Sequence, residues 1–172
     1  LNAPVVAMDP AGASSALSFG FVDVAGEPVT ITREVRIRNF DNRQHTYTIT
    51  PTFRFVDDEA SGAVSVQAPA SVDVKPGLGR DTYFTVELTV DGDFLPANFM
   101  NSGNNGASGA ALTANEYDGY LVLQEGNHTI HLPWHVLPRK AAEVVPDRLE
   151  ILPGESPQVI GLQNNGSGTA QD

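Results

Sequence analysis

An all-β chain, folded as two packed sheets, follows from three features of the sequence. Apolar residues recur with a period of two along several stretches, the mark of strands with one buried face. Clusters of Gly, Pro, Asn and Asp separate those stretches. About seven or eight such runs, with almost no helical period, is the grammar of a two-sheet β-sandwich.

The elements can be justified in order. Leu17–Val24 is the first short run. Next, Val29, Ile31, Val35 and Ile37 share one face, with Thr30, Thr32, Glu34, Arg36 and Arg38 on the other; Arg33 interrupts the apolar face. Asn39-Phe-Asp-Asn42 turns the chain into a strand where Tyr47, Ile49, Phe53 and Phe55 alternate with Thr46, Thr48, Thr50, Thr52 and Arg54. Pro51 falls on the inward face and has no N–H to give a ladder, so it marks an edge or a bulge. Short runs at Ala63–Val66 and Ser71–Val74 follow, then the turn Lys75-Pro-Gly-Leu-Gly79 and the alternation of Phe84, Val86, Leu88 and Val90. Tyr117–Leu123 and the run Ile130, Leu132, Trp134, Val136 are joined by Glu125-Gly-Asn127, a tight hairpin.

The predicted core is Phe19, Phe21, Ile31, Val35, Ile37, Tyr47, Ile49, Phe53, Phe84, Val86, Leu88, Tyr120, Val122, Leu132 and Trp134. At about 1.5–3 kcal/mol for each large side chain buried, this suffices for an independent fold. The predicted architecture is an immunoglobulin/fibronectin-III-like two-sheet β-sandwich over residues 1–138.

Two regions break the pattern. Phe94 to Glu116 is a long connection rich in Asn, Gly, Ala and Ser, and connections this long are often functional. Its residues Phe94, Leu95, Phe99, Met100, Asn101, Asn104 and Asn105 are the candidate partner-binding loop. Residues 139–172 read as a linker and the first strands of a second, truncated sandwich: Val35-Arg-Ile-Arg-Asn39 resembles Ile160-Gly-Leu-Gln-Asn164, displaced by 125 positions. Gly26-Glu-Pro28 precedes the first, and Pro153-Gly-Glu-Ser-Pro157 the second. Unpaired strands there would leave an open edge, prone to dimerisation or swapping. The start at Leu1, without Met or a basic leader, and the stop at Asp172 suggest a piece of a longer polypeptide.

Composition narrows the function classes. The 172 residues are 41% hydrophobic and 18% charged, which favours a folded chain over a disordered one. A net charge of −11 argues against nucleic acid and anionic membrane, whose recognition needs clustered Lys and Arg. No cysteine is present, so neither a disulfide framework nor a thiolate metal site can form. No run reaches the roughly 20 apolar residues of a membrane span. Acidity and absent cysteine suit a secreted or cell-surface protein.

Candidate chemistry is thin. Three of four histidines lie in Asn127-His-Thr-Ile-His131-Leu-Pro-Trp-His135, yet in a strand His131 and His135 stand about 13 Å apart, too far to share a metal ion. Solvent-facing strand positions are the better reading of both. Asp57-Asp-Glu59 and Asp91-Gly-Asp93 could offer oxygens to calcium but match no calcium loop, and solvated turns are expected. No nucleophile elbow and no phosphate-binding Gly-rich loop with Lys occurs, and no cofactor is predicted. Asn127-His-Thr129 and Asn165-Gly-Ser167 match a glycosylation sequon that arises often by chance.

Thr30-Ile-Thr-Arg-Glu-Val-Arg-Ile-Arg-Asn39 followed by His45-Thr-Tyr47 resembles the fibronectin-III-like accessory modules of secreted bacterial subtilisin-family serine proteases. Tyr117-Asp-Gly-Tyr120 and Leu132-Pro-Trp-His-Val-Leu-Pro138 are similar to the end of such modules. The resemblance spans roughly Leu17 to Pro138 and implies a non-catalytic module packing against, or spacing, a serine endopeptidase domain. The protease's own Asp, His and Ser motifs are absent here, so no catalytic residue carries over. The partners expected are adjacent domains of the same polypeptide. The rival reading is an adhesin-type or carbohydrate-binding module taking a protein or glycan ligand on loop 94–116. An independent enzyme on a sandwich scaffold is a third reading.

Overall fold

A computed structural model of the chain describes residues 4–77, 79–96, 116–150 and 159–168. Its strands are β1 (Val5–Met8), β2 (Leu17–Val24), β3 (Val29–Asn39), β4 (His45–Phe53), β5 (Val64–Gln67), β6 (Ser71–Val74), β7 (Thr82–Val90), β8 (Tyr117–Glu125), β9 (His128–Lys140), β10 (Val144–Pro146) and β11 (Leu162–Asn164). A short helix α1 (Val56–Ser61) and a 3-10 turn (Gly92–Phe94) complete it.

One sheet runs β1-β3-β7-β5 and the other β2-β9-β8-β4-β6, while β10 and β11 form a separate ribbon. From β1 to β8 each successive strand changes sheet, so within the sandwich only β8 and β9 are both consecutive and paired. β2 joins the edge of its sheet parallel to β9, and the other pairings are antiparallel. This is an immunoglobulin-like two-sheet sandwich, as the alternation predicts.

The inward residues of both sheets form one core with Trp134, Tyr47, Leu17, Ile37, Leu88 and Leu121 among its most buried members. Trp134 packs edge-on against Phe53 with ring centroids 5.1 Å apart, and its Nε1 donates to the Thr52 carbonyl at 3.2 Å. Ile31 and Phe53 are only half-buried against this core.

Several sequence expectations change. Phe21 is 57% exposed, because the β2–β9 register shifts between Ser18 and Phe21, where Gly20 adopts φ +78°. That local break moves the inward phase from Leu17 and Phe19 to Val22 and Val24. On β8 the inward residues are Tyr117, Gly119, Leu121 and Leu123, leaving Tyr120 exposed and Val122 half-buried on the outer face. Both phases of that strand carry apolar residues, so alternation alone could not choose. Phe55 is exposed because β4 ends at Phe53, and Asp57-Asp-Glu59 lies in α1 rather than in an open turn. Three acidic residues in the first helical turn oppose the positive end of its dipole, and Gly62 in the left-handed region at φ 71° ends it. β1 was not anticipated: Val5-Val-Ala-Met8 is apolar at every position and shows no alternation to read.

Pro51 behaves as expected. The Ile49 N–H donates to Ala70 O at 2.9 Å on the β6 side of β4, and the position two residues on points the same way, past the end of β6. The missing N–H therefore faces a local edge.

Candidate functional site

One cluster of polar side chains lies at the end of the sandwich where β3 turns into β4. His45 opens β4 in phase with Tyr47 and Ile49, so its ring points inward and is 1% exposed. Its Nδ1 lies 2.5 Å from Glu125 Oε2 and its Nε2 3.3 Å from Asp41 Oδ2. The Thr46 N–H donates to Glu125 Oε1 at 2.8 Å. His45 stacks on Tyr47 at 6.0 Å, and the Tyr47 hydroxyl lies 3.2 Å from His128 Nδ1.

The electrostatics follow from those contacts. The His45 hydrogen bond first, and the Thr46 N–H second, hold the Glu125 carboxyl below its ordinary range. Asp41 is lowered chiefly by the Arg43 N–H, with His45 contributing less. Burial pushes the Tyr47 phenol up. Chemically this is a carboxylate–imidazole–carboxylate bridge tying the β3–β4 turn to the β8–β9 hairpin. Its imidazole is sealed from solvent, so it holds two turns together rather than meeting a substrate.

The outer face of the five-stranded sheet differs from that of its neighbour. It carries Phe21, Tyr120, His131, Pro133 and Leu137, with Tyr120 and His131 rings 5.5 Å apart. His135 lies 3.1 Å from Ser18 Oγ, and the Arg139 guanidinium sits 4.7 Å over the Phe21 ring while paired with Asp23. The four-stranded sheet presents mainly Thr30, Thr32, Glu34, Thr85 and Glu87, with Tyr83 as its one exposed aromatic among these outward positions and Arg38 gripping Asp81 in two bonds of 2.8 and 2.7 Å. Exposed aromatic and apolar groups thus concentrate on one face.

At the end opposite His45, a cleft of about 340 Å³ is walled by the β2–β3 turn, the residues after β7 and the tail turn. Glu27, Asp91, Asp93, Asn165 and Ser167 line it. Asp91 spends one oxygen accepting the Asp93 N–H at 3.0 Å. Among the described residues no three His, Asp or Glu side chains are placed to hold a metal ion.

Comparison with protein-family models finds no match, and comparison with curated proteins finds none. Three solved structures are similar in chain path. A FixG-related protein from Vibrio parahaemolyticus is 13% identical, with 64% of this chain and 79% of that one covered and a TM-score of 0.40. The CooA pilin subunit from enterotoxigenic Escherichia coli is 14% identical over 80% and 98%, TM-score 0.38. A PapD-like domain of human CEP192 is 14% identical over 80% and 87%, TM-score 0.39. Likeness this distant transfers no function. None of the three is a subtilisin-family protease.

The sequence-predicted site residues divide. Phe94 is 60% exposed at the end of the 3-10 turn, whereas Leu95 is buried in the core. Phe99, Met100, Asn101, Asn104 and Asn105 lie outside the described residues. His131 is exposed and His135 half-buried on the outer face, as read from the alternation. His45 was missed, although extending the Tyr47–Ile49 phase two residues back would have placed it inward. Among the described residues no helix is long and apolar enough to cross a membrane.

Proposed function

We propose that this chain is a non-catalytic structural module of an exported multimodule polypeptide, holding a neighbouring domain at a fixed spacing. One observation carries the reading: the segment after β9 is hydrogen-bonded back onto the sandwich instead of leaving it as a free linker. The Ala141 N–H donates to Val24 O at 2.9 Å, the Ser167 N–H to Ala25 O and the Ser167 hydroxyl to Val24 O at 2.6 Å, while within the tail the Gly168 N–H donates to Ala141 O at 2.9 Å. A junction bonded at several points restricts hinge motion, where a Gly/Ser linker would swing freely. The sequence resemblance to subtilisin-family accessory modules supports a serine endopeptidase domain as the neighbour served. A second reading, recognition of a protein or glycan through loop 94–116, is favoured by the exposed Phe94 at its entrance.

Residual dipolar couplings on the 15N-labelled chain test the structural reading. Residues 4–77, 79–96 and 116–140, together with 141–146 and 162–168, are expected to fit one alignment tensor. Two independent tensors would overturn it, and saturable binding to a glycan array through loop 94–116 would favour the second reading.

A further inference from the structure

The tail repeats part of the sandwich down to its hydrogen bonds. Asn39 closes β3: its Nδ2 donates to Arg43 O at 2.7 Å and its Oδ1 accepts the Asp41 N–H at 2.8 Å. Asn164 closes β11 in the same way, with Nδ2 donating to Gly168 O at 2.6 Å and Oδ1 accepting the Gly166 N–H at 2.9 Å. Each amide bridges the residues two and four positions on. The residue after each Asn then bonds back to the chain beside it, Phe40 N–H to Pro4 O at 2.7 Å and Asn165 N–H to Glu143 O at 2.8 Å. The registers correspond too: Val5 faces Asn39 and Ala7 faces Ile37, as Val144 faces Asn164 and Pro146 faces Leu162.

What differs is the cover. β3 has β7 along its other edge, and Val35 and Ile37 are fully buried. Among the described residues β11 has no strand on that edge, and its Leu162 is 72% exposed, with Ile160 and Val144 also open. The side chains left bare are those whose counterparts fill the first core.

We propose that β10 and β11 reproduce the β1–β3 unit of a second sandwich, and that the free edge of β11 takes an antiparallel strand patterned like β7. That strand is extended, apolar at every second residue, with Thr and Glu between, as in Phe84-Thr-Val-Glu-Leu-Thr-Val90. In the first sandwich Ile37 faces Thr82 and Val35 faces Phe84. The incoming strand therefore sets its Thr82 equivalent opposite Leu162 and its Phe84 equivalent opposite Ile160. Main-chain bonds along the edge supply affinity, and the alternating apolar side chains choose the register. This deepens the structural reading by naming what completes the junction, but the edge geometry stands whether or not the junction is stiff.

The test adds an unlabelled peptide of residues 80–91 to the full 15N-labelled chain. The expected result is saturable shifts and slowed amide exchange confined to residues 159–164, with isotope-edited contacts between the peptide's Phe84 and Ile160. Leu162→Asp is expected to weaken binding about tenfold or more, the scale of one lost Leu burial. Gln163→Glu, on the opposite face of the ribbon, leaves it unchanged. No saturable change at 159–164, or equal binding of a scrambled peptide, overturns the inference. The dipolar couplings separately report whether the junction is stiff, so the two readings fail independently.

Discussion

At the scale of single residues, the His45 bridge concentrates polar chemistry where the sheets would otherwise need only packing. Both carboxyls beside the ring are held below their ordinary values, by the imidazole for Glu125 and first by the Arg43 N–H for Asp41. The sign follows from linkage: a carboxyl lowered in the folded state contributes stability above its unfolded value and loses it as pH falls through the folded one. Stability is therefore expected to decline as pH drops below 4.5, the ordinary Glu value, with Asp41 adding to the fall below 3.8. Glu125→Gln keeps an acceptor for His45 but cannot titrate. Its urea midpoint is expected to be lower than the parent's at neutral pH and to fall less on acidification. Parallel profiles for the two proteins would show that the bridge does not couple protons to folding. No motif announced this site, since its members lie far apart in the chain; His45 and Glu125 are 80 residues apart.

At the scale of elements, glycine placement explains strand packing that alternation could not. Gly119 on β8 lies opposite Phe53 on one side and Trp134 on the other. A Cβ there would press into the Thr52 carbonyl and come within 2.8 Å of Trp134 Cζ2. The Thr52 carbonyl also accepts the indole N–H, so one backbone group anchors the largest core side chain. Gly119→Ala must move backbone rather than a flexible side-chain tip, and overpacking costs about 1–3 kcal/mol or more. The expected outcome is a lower urea midpoint with an unchanged slope, read by equilibrium unfolding. An unaffected midpoint would mean that β4 and β8 can part without loss. The same position shows what was legible: Tyr117-Asp-Gly-Tyr120 stood out as a motif, but the reason for its glycine is the ring packed against it. β2, β6 and the Gly126–Asn127 hairpin were legible because their signals are local. Gly126, at φ 55°, takes the positive-φ place that such a two-residue turn requires.

Across the whole molecule, the interleaving of the sheets governs how the chain reaches its fold. β2 pairs with β9, β3 with β7 and β4 with β8, so most ladders wait on contacts distant in sequence. Such topology folds in milliseconds to seconds, since loop-closure entropy is lost before the contacts form. Trp134, the single tryptophan and fully buried, reports this directly. Stopped-flow refolding is expected to show its emission recovering on that timescale; recovery in microseconds would contradict the ladder order. Sequence alone determined that strands exist, the stretch of chain in which most of them lie, and which residues face inward wherever only one phase of the alternation is apolar. Those are properties of a backbone with period two, set by neighbours within a few residues. Tertiary structure decided the rest: which strands pair, which phase of β8 faces the core, what His45 touches, and why Leu162 is bare while Ile37 is covered. Each of these depends on what lies across a sheet or along its edge, supplied by chain remote in sequence, and no local pattern encodes it.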